Sequence, residues 1–206
     1  MVNSKKVGDR SGSETPLTSW VSLAISDSRI EETRSSDPTP RAGRPDVLDF
    51  GPRLMFRRAT ANDVPAITSL INLAYEVEKF FKIGDRTDEA EVAALLAEST
   101  FFLHEEAGQI VGCVHVEVNG ERGYFGLLAV HPAKRGQRLG ARLVAAAEAL
   151  CREAGCRAMD LSVVHLRTEL PPFYRALGYA ERTTAAFPHP ERANQPCHMI
   201  VMSKDL

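Results

Sequence analysis

The feature that most restricts the fold is a strand, a basic hinge and a long helix in direct succession, with another strand behind them. Residues 124–130 read as a strand that closes on the apolar run L-L-A-V. The hinge H-P-A-K-R-G-Q-R-L-G-A-R (131–142) packs three Arg, one Lys and two Gly into twelve positions. Leu139, Leu143, Val144, Ala147, Leu150 and Cys151 then recur at helical spacing, so a helix is expected over 138–154, ended by Gly155. In A-M-D-L-S-V-V (158–164), Met159, Leu161 and Val163 alternate as in a strand. Strand, helix and strand in this order require a crossover to a parallel neighbour, and such crossovers are right-handed.

The remaining pattern builds outward from this unit. A short strand is expected over 54–59, followed by a helix with Thr60 as cap and Asp63 as capping-box acid. Thr87 is expected to cap a second helix that turns Val92, Leu95 and Leu96 inward. Residues 101–105 and 110–118 read as strands joined through Ala107-Gly108, and Asn119-Gly120 signals a hairpin into 124–130. A short helix over 170–177 has Pro171 and Pro172 near its first turn and Gly178 after its end. Final strands are expected over 179–186 and 197–203. The order implies an α+β fold with a mixed sheet, antiparallel at first and parallel in the middle.

Residues 1–52 stand apart. Ser, Thr, Pro, Gly, Asp and Arg dominate them, and W-V-S-L-A-I (20–25) is too short to build a core. They read as a disordered tail before one domain over 54–206. Met55 lies where the ordered pattern begins, which raises the expectation that the native start is near it. No run of about 18 apolar residues is present, so no membrane span is expected. The net charge of -2 argues against general binding of nucleic acid and makes the basic hinge a local feature. Cys113, Cys151, Cys156 and Cys197 show no C-x-x-C spacing. They read as reduced thiols, in keeping with a cytoplasmic location.

A helix start leaves backbone N–H groups without partners and carries partial positive charge, so it favours an anion, usually phosphate. Gly136 and Gly140 allow close approach, and Lys134, Arg135, Arg138 and Arg142 add charge. The same residues would also suit a solvated basic helix start. G-x-x-x-x-G-K-[ST] and G-x-G-x-x-G are both absent. His115-Val116-Glu117 matches the H-x-E of zinc deaminases, but P-C-H-M (196–199) departs from P-C-x-x-C, so no metal site is expected.

Here the sequence resembles the GNAT superfamily of acyl-CoA-dependent N-acetyltransferases. R-G-Q-R-L-G (135–140) resembles the phosphate motif [Q/R]-x-x-G-x-[G/A], and F-Y-R-A-L-G-Y (173–179) resembles F-Y-x-x-x-G-[F/Y]. The resemblance covers 54–206. It implies a mostly antiparallel mixed sheet with a central splayed parallel pair and helices on both faces. It further implies acetyl-CoA as co-substrate, with pantetheine along the backbone of Leu128, Ala129 and Val130. The diphosphate would sit on the amides of Arg135, Gly136, Gln137, Arg138, Leu139, Gly140 and Ala141. Arg138 replaces the usual motif Gly, and Arg167 replaces an Asn that often contacts the cofactor.

By the same resemblance, an amine attacks the thioester directly, Tyr174 serves the leaving thiolate, and a strand N–H such as that of Leu128 meets the developing oxyanion. Tyr174 could equally be a half-buried helix aromatic. Tyr124 stands where some relatives hold a catalytic Glu, and a neutral Tyr would need a water relay. Glu117 shares a strand face with His115 and is a second candidate base. Glu76 and Glu78 lie where relatives shape the acceptor site. A small-molecule or peptide amine is the expected partner, and edge strands near the C-terminus offer a route to a homodimer. Two rival readings are an acyl-CoA-binding sensor and a module for another phosphate ligand. Mass spectrometry of the native protein should find its N-terminus near Met55, and a peptide from 11–41 would contradict that start.

Overall fold

The computed structural model describes residues 47–49 and 55–206. The strands are β1 (Val47–Asp49), β2 (Met55–Arg58), β3 (Thr100–Glu106), β4 (Gln109–Asn119), β5 (Arg122–Val130), β6 (Ala158–Val164), β7 (Ala180–Ala186) and β8 (His198–Asp205). The helices are α1 (Val64–Ala74), α2 (Glu89–Glu98), α3 (Leu139–Glu153) and α4 (Leu170–Ala176). Of the range read as a tail, 47–49 form β1, and the rest lies outside the described residues. The strands form an 8-stranded sheet in the order β1-β2-β3-β4-β5-β6-β8-β7. Every neighbouring pair is antiparallel except β5 and β6, which run parallel.

Local chemistry explains the element ends. The Thr60 main chain and hydroxyl both donate to Asp63 Oδ2, at 2.7 and 2.9 Å. Arg57 also reaches Asp63, and that hydrogen bond holds the carboxyl down to about 2. The cap of α2 is one residue later than the sequence suggested. Asp88 Oδ1 accepts from the Glu91 N–H at 2.8 Å, while the Thr87 hydroxyl donates to the Glu91 side chain. A carboxylate is as good a cap as a hydroxyl, so the two neighbours compete and geometry decides. Ala107 and Gly108 both have left-handed φ, 50° and 76°, as the tight turn between β3 and β4 requires.

Two cores sandwich the sheet, because successive strand side chains face opposite ways. On β3, Phe102 joins Val114, Val116 and Phe125 beneath Leu143, Val144, Ala147 and Leu150 of α3. Its neighbours Phe101 and Leu103 face the other way, with Cys113, beneath Ile67 and Ile71 of α1 and Val92 of α2. Leu95 is buried with them, whereas Leu96 only borders that cluster. Each buried Leu or Phe contributes roughly 2 kcal/mol, so both helical layers are held mainly by apolar burial.

The centre of the sheet opens. β5 pairs with β6 only at Arg122↔Ala158, Gly123↔Met159 and Tyr124↔Asp160. Beyond Tyr124 both strands continue, but β6 stays paired with β8 to its end. A register shift against β4 and a left-handed Leu127, at φ 45°, bend β5 away. The closed end is tight: a Cβ on Gly123 would lie 2.4 Å from Cys151 Sγ and 2.7 Å from Met159 Sδ. Gly123→Ala should therefore lower unfolding free energy by about 1–3 kcal/mol in denaturant titration, as overpacked core sites do.

Candidate active site

The open side of the splay leads to the start of α3. Leu128 and Val130 of β5, Gly136, Arg138, Leu139, Gly140 and Ala141 line a cleft of about 570 Å³, with Phe173 and Tyr174 of α4 opposite. No side chain caps α3, and its first turn carries no acidic residue. The first main-chain hydrogen bond of the helix runs from Arg142 to the Arg138 carbonyl at 3.2 Å. The amides of Leu139, Gly140 and Ala141 thus precede the helical ladder and open on the cleft. A Cβ on Gly140 would stand 3.7 Å from Phe173 and 3.8 Å from Val130, so its absence keeps the cleft floor clear.

The basic hinge is dispersed more widely than its spacing suggests. Lys134 pairs with Glu106. Arg135 Nη2 donates to the Ala74 carbonyl at 2.9 Å and so caps the end of α1, while its own amide donates to Pro132. Arg135 lines the cleft, with its guanidinium turned to the end of α1. Gln137 does not line the cleft, and Ala129 is 1% exposed in the opposite core, which leaves only its main chain for a ligand. Arg138 is exposed and left-handed, at φ 59° and ψ 12°. A helical backbone there would have accepted any side chain, whereas this one favours Gly.

A second cavity lies deeper in the splay and shares Tyr75, Leu128, Leu170 and Tyr174 with the cleft. Tyr174 is 6% exposed, and burial pushes its phenol well above the ordinary range, so it remains protonated near neutrality. Phe125 and Tyr179 hold its ring at 5.8 and 6.1 Å. The second Tyr of the 173–179 motif has a different task. Gly178 and Tyr179 close the end of α4 by donating to Arg175 and Tyr174, and the Tyr179 hydroxyl donates to buried Glu148 at 2.9 Å. Tyr124 lines the deep cavity, its phenol pushed up to about 12 by burial.

Glu117 does not line either space. It borders His115, which is fully buried, and burial raises its carboxyl. The carboxylate on the deep cavity is Glu78, 7% exposed in the turn after α1. Arg167 meets it at 2.8 Å and also meets Glu169 at 2.6 Å. Arg167 therefore lines the cleft as an ion-paired strut rather than as a free donor. Glu76 is exposed and pairs with Lys79. Burial raises the Glu78 carboxyl, opposed by Arg86 and Arg167. Sequence spacing gave both acids equal standing, because only the turn geometry separates them.

The family model for the acetyltransferase (GNAT) family matches residues 65–179. This chain belongs to that family. No curated protein sequence matches it. Solved structures share the GNAT fold at low identity. The ribosomal-protein-S18-alanine N-acetyltransferase of Escherichia coli is 18% identical with a TM-score of 0.62, over 73% of this chain and 92% of that one. Ard1 of Thermoplasma volcanium is 20% identical with a TM-score of 0.60, over 73% of this chain and 96% of that one. The yncA protein of Salmonella typhimurium, solved with its cofactor acetyl-CoA, is 18% identical with a TM-score of 0.60, over 75% of this chain and 95% of that one.

In this GNAT chain the motif stretch 135–140 leads into the start of α3, and Phe173 and Tyr174 of the second motif stretch form the wall opposite it. Among the described residues, no group of three or more His, Cys, Asp or Glu side chains is placed to hold a metal ion, and no helix is long and apolar enough to cross a membrane. The backbone at Arg138 yields a stability test. Asn tolerates left-handed backbone and β-branched side chains do not. In thermal unfolding, Arg138→Val should cost about 1 kcal/mol, while Arg138→Asn should cost nothing measurable.

Proposed function

We propose that the protein is an N-acetyltransferase that moves the acetyl group of acetyl-CoA onto a primary amine in the deep cavity. The observation that carries this reading is the uncapped start of α3, opening on a strand edge that its parallel neighbour leaves unpaired. The amides of the first turn and Gly136 suit a diphosphate. The free edge of β5 at Leu128 and Val130 suits the amide-bearing pantetheine arm. Acetyl-CoA supplies an activated acyl thioester where the two spaces meet.

The chain's own groups would then act as follows. The β5 backbone places an N–H near the acyl oxygen, where negative charge develops. Tyr174, held neutral by burial, donates a hydrogen bond to the departing sulfur. Glu78, directly or through water, receives the proton that the attacking amine must lose. Tyr124 positions the amine or that water. The reading gains support from the meeting of Tyr174 and Leu128 at the junction of cleft and cavity.

Single-turnover measurement of thiol release tests the roles. Tyr174→Phe should slow the acyl-transfer step by about 10²-fold with coenzyme A affinity nearly unchanged. Full turnover by that variant, with chemistry rate-limiting, would remove Tyr174 from the mechanism. Glu78→Gln can still accept from Arg167 and should keep the fold. It should lower kcat/KM about 10²-fold and abolish the acidic limb of the pH profile. Tight coenzyme A binding with no thiol release for any amine would instead favour the acyl-CoA sensor.

A further inference from the structure

The deep cavity has a charge balance that bears on its acceptor. Three charged side chains line it: Glu78, Lys82 and Arg86. Tyr75, Tyr124, Ser162 and Tyr174 add neutral polar groups, and the rest is mainly apolar. Glu78 already accepts from Arg167, a guanidinium that is not part of this lining. The wall therefore carries more positive than negative charge. Lys82 is 4% exposed, and a buried cation is costly unless an anion or several acceptors face it.

Both cations are held in place. Lys82 donates to the Asp85 carbonyl. It also sits in an antiparallel bridge with Ala193, flanked by the Ile83 N–H to Arg192 carbonyl bond at 2.8 Å and the Asn194 N–H to Phe81 carbonyl bond at 2.9 Å. Asn72 of α1 grips the next turn, accepting from the Arg86 and Thr87 amides at 2.9 and 3.1 Å. The Arg86 guanidinium lies over the Tyr75 ring, 5.3 Å from its centroid. Nearby Arg192 adds further positive charge, with its Nη2 2.6 Å from the Asp85 carbonyl. Burial, then Arg192 and Arg86, lower the Lys82 ammonium to about 8 against the opposing pull of Glu78 and Glu91.

We infer that the acceptor is a small amine bearing an anionic group, a carboxylate in the simplest case, and that Lys82 and Arg86 receive that group while the amine faces Tyr174 and Leu128. The inference rests on the acetyl-transfer reading and narrows its substrate class. The cavity, about 70 Å³, leaves room for only a short spacer between amine and anion. A long polyamine would bring further positive charge to a wall that already has an excess, so the same charges select against it.

The test uses the full chain, acetyl-CoA and matched acceptors: β-alanine against ethylamine, glycine against methylamine, and 1,3-diaminopropane as the cationic member. Thiol release should give the carboxylate member of each pair at least about a tenfold higher kcat/KM. Lys82→Met should erase that preference, and Arg86→Gln should reduce it should the Met variant not fold. Coenzyme A affinity by calorimetry should stay within about twofold in both, since neither residue lines the outer cleft. Equal or better turnover of the neutral or cationic amines, with coenzyme A bound, would overturn the inference and leave acetyl transfer standing. No turnover of any amine, or no coenzyme A binding, would overturn both.

Discussion

Everything at this site depends on two parallel strands ceasing to pair. After Tyr124, β5 bends at Leu127 and leaves β6 bonded only to β8. Unpaired strand edges are normally a liability, because their N–H and C=O groups seek a partner. Here the open edge is not an outer edge of the sheet but faces the cleft between the start of α3 and Phe173 and Tyr174 of α4. A ligand with its own amides would suit it. The same bend brings the start of α3 beside the gap, which places backbone donors for an anion at one end of a slot for an extended chain.

The charges around the slot divide into those that hold the fold and those that face a ligand. Arg135 and Lys134 look like phosphate ligands in the sequence, yet they fasten the end of α1 and the end of β3. Arg167 braces Glu78 and Glu169 across the cleft wall. What remains at the helix mouth is mostly backbone. That suits a diphosphate that must enter and leave, since fixed amides need no side chain to be ordered on binding.

Much of the fold was legible because it is written in short periodicities. Alternation along 158–164, the helical stripe from Leu139 to Cys151 and the turn signals at Gly108 and Gly120 each reflect local chemistry. The two motifs were legible for the same reason. Less legible were features set by tertiary contact. The Glu148 hub, which also takes two bonds from Lys204 at 2.8 and 2.9 Å, joins residues far apart in sequence. Glu78 lines the deep cavity and Glu117 does not, a difference set by tertiary placement that strand and helix spacing do not carry. The left-handed Arg138 was hidden because the helix was expected to begin at 138, although the resembled motif has Gly there, the residue such a backbone favours. Loops 76–90 and 187–196 carried no pattern, yet they bridge at Lys82 and Ala193, and both contribute to the lining of the deep cavity.

The central claim is that coenzyme A occupies the gap between β5 and β6, with its diphosphate at the mouth of α3. Amide hydrogen exchange, followed by mass spectrometry with and without coenzyme A, addresses it directly. The account predicts slowed exchange in peptides spanning 126–131 and 136–141, with little change across β7. Binding that leaves both segments exchanging as before, or protects a different region, would contradict it.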